Sequence, residues 1–398
     1  MWQKAKNIYH FGKATTASIA YGSPAKNLTV IGITGTDGKT TTSNMIYHIL
    51  ESAGKKVAMI STVSAVIQGK EYDTGFHVST PDAIALQRYL KKAVDQGAEY
   101  MVLEVTSHGL DQNRASGIEF AVGVITNVTH EHMDYHKTYA EYVKAKAKLL
   151  KNSRVCILNR DDASYNTLIK YKSHLLGKKW INYGMDKLSD VNPISFPFEL
   201  ASPGDFNKYN ALAAFAVCQE LGVIQEDIRA GLKTFHLPKG RFDIVYDDKF
   251  EVVIDFAHTP NSITQLLSSQ RTKTGRIIHV FGSAGDRDVS KRPLMGEASA
   301  KYADEIILTA EDPRGEMVEK ICTDIATGTL KISDFNKEHL NIIPDRQTAI
   351  DRAIEMAKDG DLVLITGKGH ETTMNMGQGE TPWSDYKAVS KALAKINL

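Results

Sequence analysis

The stretch Leu28-Thr29-Val30-Ile31-Gly32-Ile33-Thr34-Gly35-Thr36-Asp37-Gly38-Lys39-Thr40-Thr41-Thr42 runs from an apolar strand pattern through a glycine-bearing loop into a helical pattern. That succession suits nucleotide phosphates. Glycines let backbone N–H groups close around phosphate oxygens, Lys39 supplies a point charge, and the Thr40 hydroxyl is placed to ligate magnesium at a helix N-terminus. The strict pattern asks for a glycine five positions before Gly38, where Ile33 stands, so the loop Gly35, Thr36, Asp37, Gly38, Lys39, Thr40, Thr41 is a variant of the phosphate loop. It predicts an ATP-using enzyme.

Working outward, Met45, Ile46, Ile49 and Leu50 recur at helical spacing over Thr40–Ala53, and Gly54 ends the helix. Further apolar runs at Val57–Ile60, Tyr100–Leu103 and Val122–Ile125, with a helix around Pro81–Gln96, predict a parallel sheet covered by helices. Near Leu237-Pro238-Lys239-Gly240-Arg241 the helical patterning gives way to a Pro/Gly segment. A second strand series then follows at Glu251–Ile254, Ile277–Phe281, Glu305–Leu308 and Leu362–Ile365. The expected class is α/β, with a short leader (1–27), a central ATP-binding parallel-sheet domain (28–238) and a smaller Rossmann-like C-terminal domain (239–398).

Composition bounds the function classes. The 398 residues exceed the size at which one core keeps growing, and 42% hydrophobic with 24% charged residues is globular usage. A formal net charge of +1 gives no electrostatic reason to expect nucleic acid as a partner. Cys156, Cys218 and Cys322 form neither a disulfide framework nor a CxxC site, and no segment reads as a signal peptide or a membrane span. A cytoplasmic location is expected.

In doubly wound sheets ligands bind outside the carboxyl ends of strands. Glu104 ends one strand and would face phosphate-bound magnesium. Asn127-Val128-Thr129-His130-Glu131-His132-Met133-Asp134-Tyr135-His136 follows another and reads as a metal or phosphate site. On the helix beginning near Thr138, Tyr142, Lys146, Leu149 and Leu150 share one face, while Glu141, Lys144, Lys148 and Lys151 line another. Lys146 therefore either points inward, where it needs a partner or a changed charge, or snorkels past the leucines.

The combined motifs resemble the Mur ligases, most closely the MurE branch. They are Gly35–Thr41, Glu104-Val105-Thr106-Ser107-His108-Gly109-Leu110, His132-Met133-Asp134-Tyr135-His136, Ala145-Lys146 and Gly204-Asp205-Phe206-Asn207-Lys208-Tyr209-Asn210. Later in the chain come Asp255-Phe256-Ala257-His258-Thr259-Pro260, Gly285-Asp286-Arg287-Asp288, Lys291-Arg292-Pro293-Leu294-Met295-Gly296 and Gly367-Lys368-Gly369-His370-Glu371. The resemblance implies an ATP- and Mg2+-dependent ligase of peptidoglycan precursor synthesis. In it ATP phosphorylates a peptide carboxylate and an incoming amine attacks the acyl phosphate.

By that resemblance Lys39 is the phosphate clamp, Thr40 and Glu104 are magnesium ligands, and His132 with Lys146 attends a second magnesium. Carbon dioxide would convert Lys146 to a carbamate. Asn207, Asn210, Arg241, Asp255, His258 and Arg287 match nucleotide-contact positions. Ser79, Thr80, Thr106, Gln112 and Arg114 match acceptor positions, and Arg292, Asp312, Arg314, Gly367 and Glu371 match the amino acid pocket. The loop Glu311-Asp312-Pro313-Arg314 departs from the Asp-Asn-Pro-Arg of diaminopimelate-adding members. Arg314 favours meso-diaminopimelate over L-lysine and Asp312 pulls the other way.

The family's N-terminal UDP-binding domain has no counterpart in the 27 residues before the first strand. The acceptor is therefore expected to be a UDP-linked or related muramoyl peptide, with a protein partner supplying the UDP-binding surface as one option. Alternatives are a folylpolyglutamate-synthase-type ligase with another acceptor, and an inactive nucleotide-binding assembly module.

Overall fold

The computed structural model describes residues 2–72, 80–201, 204–271 and 275–396. The chain divides into two units, one of 1–129 with 138–236 and the other of 130–137 with 237–398.

Among the described residues the first unit carries an eight-stranded sheet in the order β4-β3-β2-β5-β1-β6-β7-β8. The strands are β1 (Thr29–Thr34), β2 (Val57–Ile60), β3 (Ala65–Ile67), β4 (Lys70–Tyr72), β5 (Tyr100–Glu104), β6 (Phe120–Ile125), β7 (Ser153–Asn159) and β8 (Lys179–Tyr183). From β2 to β8 across the sheet all pairings are parallel, and the β3–β4 hairpin adds an antiparallel edge. Gln68 and Gly69 join that hairpin at φ 51° and 70°, as a two-residue turn with both residues left-handed requires.

β1 lies between β5 and β6, with Ile33 opposite Glu104 and Thr34 opposite Ile125. The loops leaving these three strands therefore meet at the point where strand order reverses. β1 is buried beyond its first residue, which is why it reads as a continuous apolar run rather than an alternating one. Gly32 is a close-approach glycine. A Cβ there would lie 2.7 Å from Leu149 Cδ1 and from Phe120 Cδ1, so the helix Tyr139–Lys151 presses directly onto β1.

The helix Lys39–Ser52 buries Met45, Ile46, Ile49 and Leu50 as the spacing predicts, each such side chain contributing about 1.5–3 kcal/mol. The helix Ala83–Asp95 starts at Asp82, whose carboxylate accepts from the N–H groups of Ile84 and Ala85. Asp82→Ala is expected to cost about 1 kcal/mol, seen as a lower urea midpoint; an unchanged midpoint would show the cap to be idle.

The stretch read as a leader contains a helix, Trp2–Ala20, and a 3-10 turn, Pro24–Asn27. Its buried side chains include Ala14, Ala17 and Ser18, too small to write an apolar period into the sequence. Asn7 Nδ2 donates to Asp111 Oδ2 at 3.1 Å and Asn113 Nδ2 to the Asn7 carbonyl at 3.3 Å. The helix is thus tied to the segment that carries Gln112 and Arg114.

The second unit holds a six-stranded sheet, again among the described residues, in the order β13-β12-β11-β14-β10-β9. Its strands are β9 (Asp243–Asp247), β10 (Glu251–Ile254), β11 (Ile277–Phe281), β12 (Glu305–Leu308), β13 (Leu340–Ile342) and β14 (Leu362–Ile365), with β9 the one antiparallel member. Val252, Ile254, Ile278, Val280, Ile307, Val363 and Ile365 pack with Ile350 and Val389 from flanking helices to form its core. β11 separates β12 from β14, so no ladder hydrogen bonds join the loops that leave those two strands.

Candidate active site

In the first unit the loop after β1 is held from outside. Asn127 Oδ1 accepts from the N–H groups of Thr36 (3.2 Å) and Asp37 (2.9 Å), while Asn127 Nδ2 (3.1 Å) and Thr126 Oγ1 (2.7 Å) donate to the Asp37 carbonyl. These two residues after β6 pre-shape the phosphate loop. Asn127 begins the histidine-rich segment of the sequence, but nothing in its local spacing announces a role towards a loop 90 residues away.

Gly38 sits at φ 80°, and a Cβ there would fall 2.4 Å from Asn210 Oδ1. Asn210 accepts from Thr42 Oγ1 at 3.2 Å and donates to Asn207 Oδ1 at 3.2 Å. Both asparagines are buried against the loop. Lys39 Nζ donates to the Thr36 carbonyl at 2.8 Å.

Glu104, 0% exposed, ends β5. Its carboxylate accepts from Thr40 Oγ1 (3.0 Å), Thr62 Oγ1 (2.8 Å) and Thr62 N–H (3.1 Å). Thr62, in the loop after β2, was not singled out in the sequence, because a threonine in a loop carries no pattern. A hydroxyl and a carboxylate converging beside a phosphate loop are the hard oxygen donors that magnesium takes. Among the described residues no group of three His, Cys, Asp or Glu is arranged to hold a metal. A magnesium bound largely through phosphate and water needs only one or two carboxylates.

The helix Tyr139–Lys151 is capped by Thr138, which accepts from Glu141 N–H, and it turns Lys146 inward to 1% exposure. Lys146 Nζ donates to the Gly35 carbonyl at 2.6 Å and lies 4.5 Å from the Tyr142 ring centre, while Tyr142 Oη meets Thr36 Oγ1 at 3.1 Å. Of the two readings of Lys146 the inward one holds, and snorkelling is excluded. Lys148, on the other face, donates to Asp111 Oδ1 at 2.9 Å and is half-buried rather than simply solvated.

Thr80, Thr106, Gln112 and Arg114 form one cluster. Thr106 N–H donates to Thr80 Oγ1 (2.8 Å), Arg114 Nη1 to the Thr80 carbonyl (2.7 Å) and Arg114 Nε to Gln112 Oε1 (2.9 Å). Thr80 Oγ1 is also 3.3 Å from the Glu104 carbonyl, which attaches the cluster to the end of β5. Ser79 lies outside the described residues.

In the second unit His132, at φ 59°, opens the short helix Met133–His136 with its Nδ1 3.8 Å from Glu131 Oε1. Glu131 is in turn paired with buried Lys291 at 3.1 Å, and Lys291 Nζ donates to the His258 carbonyl at 2.9 Å. Asp288 accepts from Met133 N–H and lies 3.6 Å from His130. Burial pushes its carboxyl up, but donors from Ser290 and Met133 hold it below its ordinary value.

Arg241, Asp255 and His258 gather around Phe256. The Arg241 guanidinium lies 4.5 Å from that ring centre, His258 4.7 Å and His370 5.1 Å, and Asp255 accepts from the N–H groups of Phe242 and Ala257, each at 2.7 Å. Arg287 is exposed on its loop.

The residues expected to form the amino acid pocket fall into two kinds. Arg292 is fully buried and its Nη atoms are bound by Glu316, Asp324 and the Ala284 carbonyl, so it braces the loop around Glu316. Those hydrogen bonds from Arg292 pull the Glu316 carboxyl down to about 2. Asp312 and Glu371, by contrast, converge on one cation, with Lys368 Nζ 2.9 Å from Asp312 Oδ1 and 2.5 Å from Glu371 Oε2. Burial draws the Lys368 ammonium down, yet Glu371 and Asp312 hold it above its ordinary value.

Asp312 and Arg314 sit at φ 45° and 51°, a strained pair of left-handed non-glycine residues, and strain of this kind collects at ligand clamps. Arg314 Nη1 donates to the Gly285 carbonyl at 2.7 Å. Gly367 sits at φ 102°, which L side chains rarely adopt, and a Cβ there would also lie 2.1 Å from Glu311 Oε2.

Comparison with known proteins bears on this geometry. Residues 33–218 match the Mur ligase middle domain, and residues 240–369 match the family described as Mur ligase, glutamate ligase domain. A UDP-N-acetylmuramoyl-L-alanyl-D-glutamate--2,6-diaminopimelate ligase of Aquifex aeolicus (strain VF5) is 41% identical over 388 residues, covering 94% of this chain and 79% of that protein. The chain belongs to the Mur ligase family. A solved structure of a ligase of the same name aligns with a TM-score of 0.61 at 31% identity, over 93% of this chain and 79% of that one. The folylpolyglutamate synthase of Mycobacterium tuberculosis aligns with a TM-score of 0.72 at 16% identity, over 90% and 92%, a likeness of fold alone. As a Mur ligase the chain is an ATP-dependent acid–amino acid ligase, and Mur ligases are ATP- and magnesium-dependent. The middle-domain match contains the phosphate loop, Glu104, Lys146, Asn207 and Asn210, and the second match contains Arg292, Asp312, Arg314 and Gly367.

Proposed function

We propose that this Mur ligase joins a diamino acid, meso-diaminopimelate ahead of L-lysine, to the D-glutamate carboxyl of UDP-N-acetylmuramoyl-L-alanyl-D-glutamate. The carboxylate attacks the γ-phosphorus of ATP, releasing ADP and forming an acyl phosphate. The amine then adds to that carbonyl, and the tetrahedral intermediate expels phosphate to leave an amide. Electrostatic positioning carries such a reaction, since the new bonds are made by the substrates themselves.

The buried Thr40–Glu104 pair beside the loop Gly35–Thr41 is the observation that carries this reading. Thr40 and Glu104 would hold magnesium, whose charge offsets that of the phosphates. Lys39 would leave the Thr36 carbonyl to bind phosphate. Asn207, Asn210, Arg241, Asp255, His258 and Arg287 are proposed nucleotide contacts. Thr80, Thr106, Gln112 and Arg114 would hold the acceptor, with Arg114 apt for its carboxylate. Arg314 would take the distal carboxylate of the diamino acid and Glu371 an ammonium, with Arg292 bracing the pocket from behind. A carbamate on Lys146 would supply a further oxygen ligand, to a second magnesium.

A cytoplasmic location accords with nucleotide-linked substrates; no helix among the described residues is long and apolar enough to cross a membrane. The testing experiment measures ADP release with the acceptor present and meso-diaminopimelate, L-lysine or ornithine offered separately. Release requiring both acceptor and one amino acid is expected, greatest with meso-diaminopimelate. Turnover only after a protein partner is added would assign part of the acceptor site to that partner. No release with any pair, partner included, would overturn the reading.

A further inference from the structure

Arg346 opens the helix Arg346–Met356 and is 2% exposed, although no step above uses it. Its guanidinium forks onto Asp385, with Nε to Oδ1 and Nη2 to Oδ2 both at 2.8 Å, and Trp383 Nε1 donates to Asp385 Oδ1 at 2.9 Å. The adjoining Nη1/Nη2 edge donates to two backbone carbonyls, Ala310 O at 3.1 Å from Nη1 and Thr366 O at 2.8 Å from Nη2. These two carbonyls are not an arbitrary pair. Ala310 immediately precedes Glu311-Asp312-Pro313-Arg314, and Thr366 immediately precedes Gly367-Lys368-Gly369-His370-Glu371.

The two loops leave β12 and β14, which β11 separates, so at ordinary strand spacing they start about 10 Å apart with no ladder between them. Arg346 ties their roots, and Lys368 ties their tips through Asp312 and Glu371. We propose that Arg346, oriented by Asp385 and Trp383, is a positioning residue for recognition of the incoming amino acid. It fixes the separation of the loops carrying Asp312, Arg314 and Glu371, an inference that rests on the ligase reading above. Planarity is what suits arginine to this task. Its donors diverge in fixed directions, so one side chain serves a carboxylate and two carbonyls at once, which a lysine ammonium cannot reproduce.

Arg346→Lys and Asp385→Asn test the assignment, with KM for meso-diaminopimelate, KM for ATP and kcat measured on each. Arg346→Lys is expected to raise the amino acid KM about tenfold, with the ATP KM unchanged and kcat within about threefold. Asp385→Asn, which keeps the arginine but loosens its orientation, shifts the same constant in the same direction by less. Should the lysine variant not fold by circular dichroism, Asp385→Asn carries the test alone. A folded variant with an unmoved amino acid KM, or with amino acid and ATP constants raised alike, would overturn the proposal. Failure of both variants to fold would do so too, reducing Arg346 to a stability residue. Wild-type protein without amino-acid-dependent turnover would sink the ligase reading itself, a result separate from an active enzyme with an indifferent Arg346.

Discussion

Lys146→Ala is expected to lower acceptor-dependent ATP turnover by about 100-fold or more, with part of the loss recovered on adding acetate or formate. The side chain is 1% exposed and its Nζ lies 2.6 Å from the Gly35 carbonyl, inside the turn that begins the phosphate loop. A buried ammonium at that place adds a positive charge beside a site that already has Lys39. A carbamate reverses the sign, forming a bond from the neutral amine nitrogen to the carbon of carbon dioxide as a proton leaves to solvent. The resulting anion is a hard oxygen ligand of the kind magnesium takes. Alanine removes both charge states, and a small carboxylate diffusing into the space restores only the anion. Rescue by acetate therefore reports the carbamate rather than the lysine. Unchanged turnover in the variant would overturn the carbamate. Lost turnover with no rescue, together with retained ATP affinity, would leave Lys146 as an ammonium that orders the loop through Gly35.

How much of this was legible beforehand varies with the kind of signal. Strands β1, β5, β6, β10, β11, β12 and β14 are mostly apolar, and burial on both faces writes them plainly into the sequence. β7 and β8 are less so, since Arg154, Lys179 and their neighbours are exposed or half-buried and break the run. The face that carries Lys146 was readable because Tyr142, Leu149 and Leu150 fix it, but the choice between an inward and a snorkelling side chain was not. The helix Trp2–Ala20 was not, because Ala14, Ala17 and Ser18 bury little apolar area each. Within the site, residue types with a chemical signature were singled out, such as Lys39, Glu104 and Arg314. Their supports were missed. Asn127, Thr62 and Arg346 act through contacts 42 to 91 residues away or through backbone carbonyls, and no local spacing encodes such contacts.

The departure at 312 acquires a physical account from the same contacts. An asparagine Oδ1 there could still accept from Asn375 N–H and from Lys368 Nζ, as Asp312 Oδ1 does at 2.9 Å each, but would leave Glu371 as the only carboxylate paired with the buried Lys368. With aspartate, two carboxylates face one ammonium, and the cluster carries a negative charge in excess. On the proposed reading, Arg314 would then be the cation for a distal carboxylate, the feature that favours meso-diaminopimelate, and the excess carboxylate would tolerate a second ammonium.

Glu311→Gln is expected to stabilise the protein at pH 8 by about 3 kcal/mol relative to its effect at pH 4. Glu311 is 7% exposed and its Oε2 has no hydrogen-bond partner. Burial is the main reason its carboxyl is pushed up to about 7, and Asp312 adds to the rise while Lys291, Arg346 and Lys368 oppose it. The sign follows from linkage. A folded-state value raised above the ordinary 4.5 means that folding takes up a proton between about pH 4.5 and 7. The associated stability is fully present below pH 4.5, declines as pH rises through that window, and is lost above about pH 7. Glutamine cannot ionise and keeps nearly the same volume, so the variant lacks the decline. Urea unfolding of both proteins across pH 4–8 reads the difference directly, provided the acceptor and nucleotide are absent so that ligand binding does not shift the transition. Parallel stability curves would mean that Glu311 keeps its ordinary value in the folded protein, with Lys291, Arg346 and Lys368 together offsetting its burial. Curves that diverge only above pH 4.5 and become parallel near pH 7 would identify Glu311 as a neutral acid below neutrality. In that state the loop Glu311–Arg314 carries one charge less than its sequence suggests.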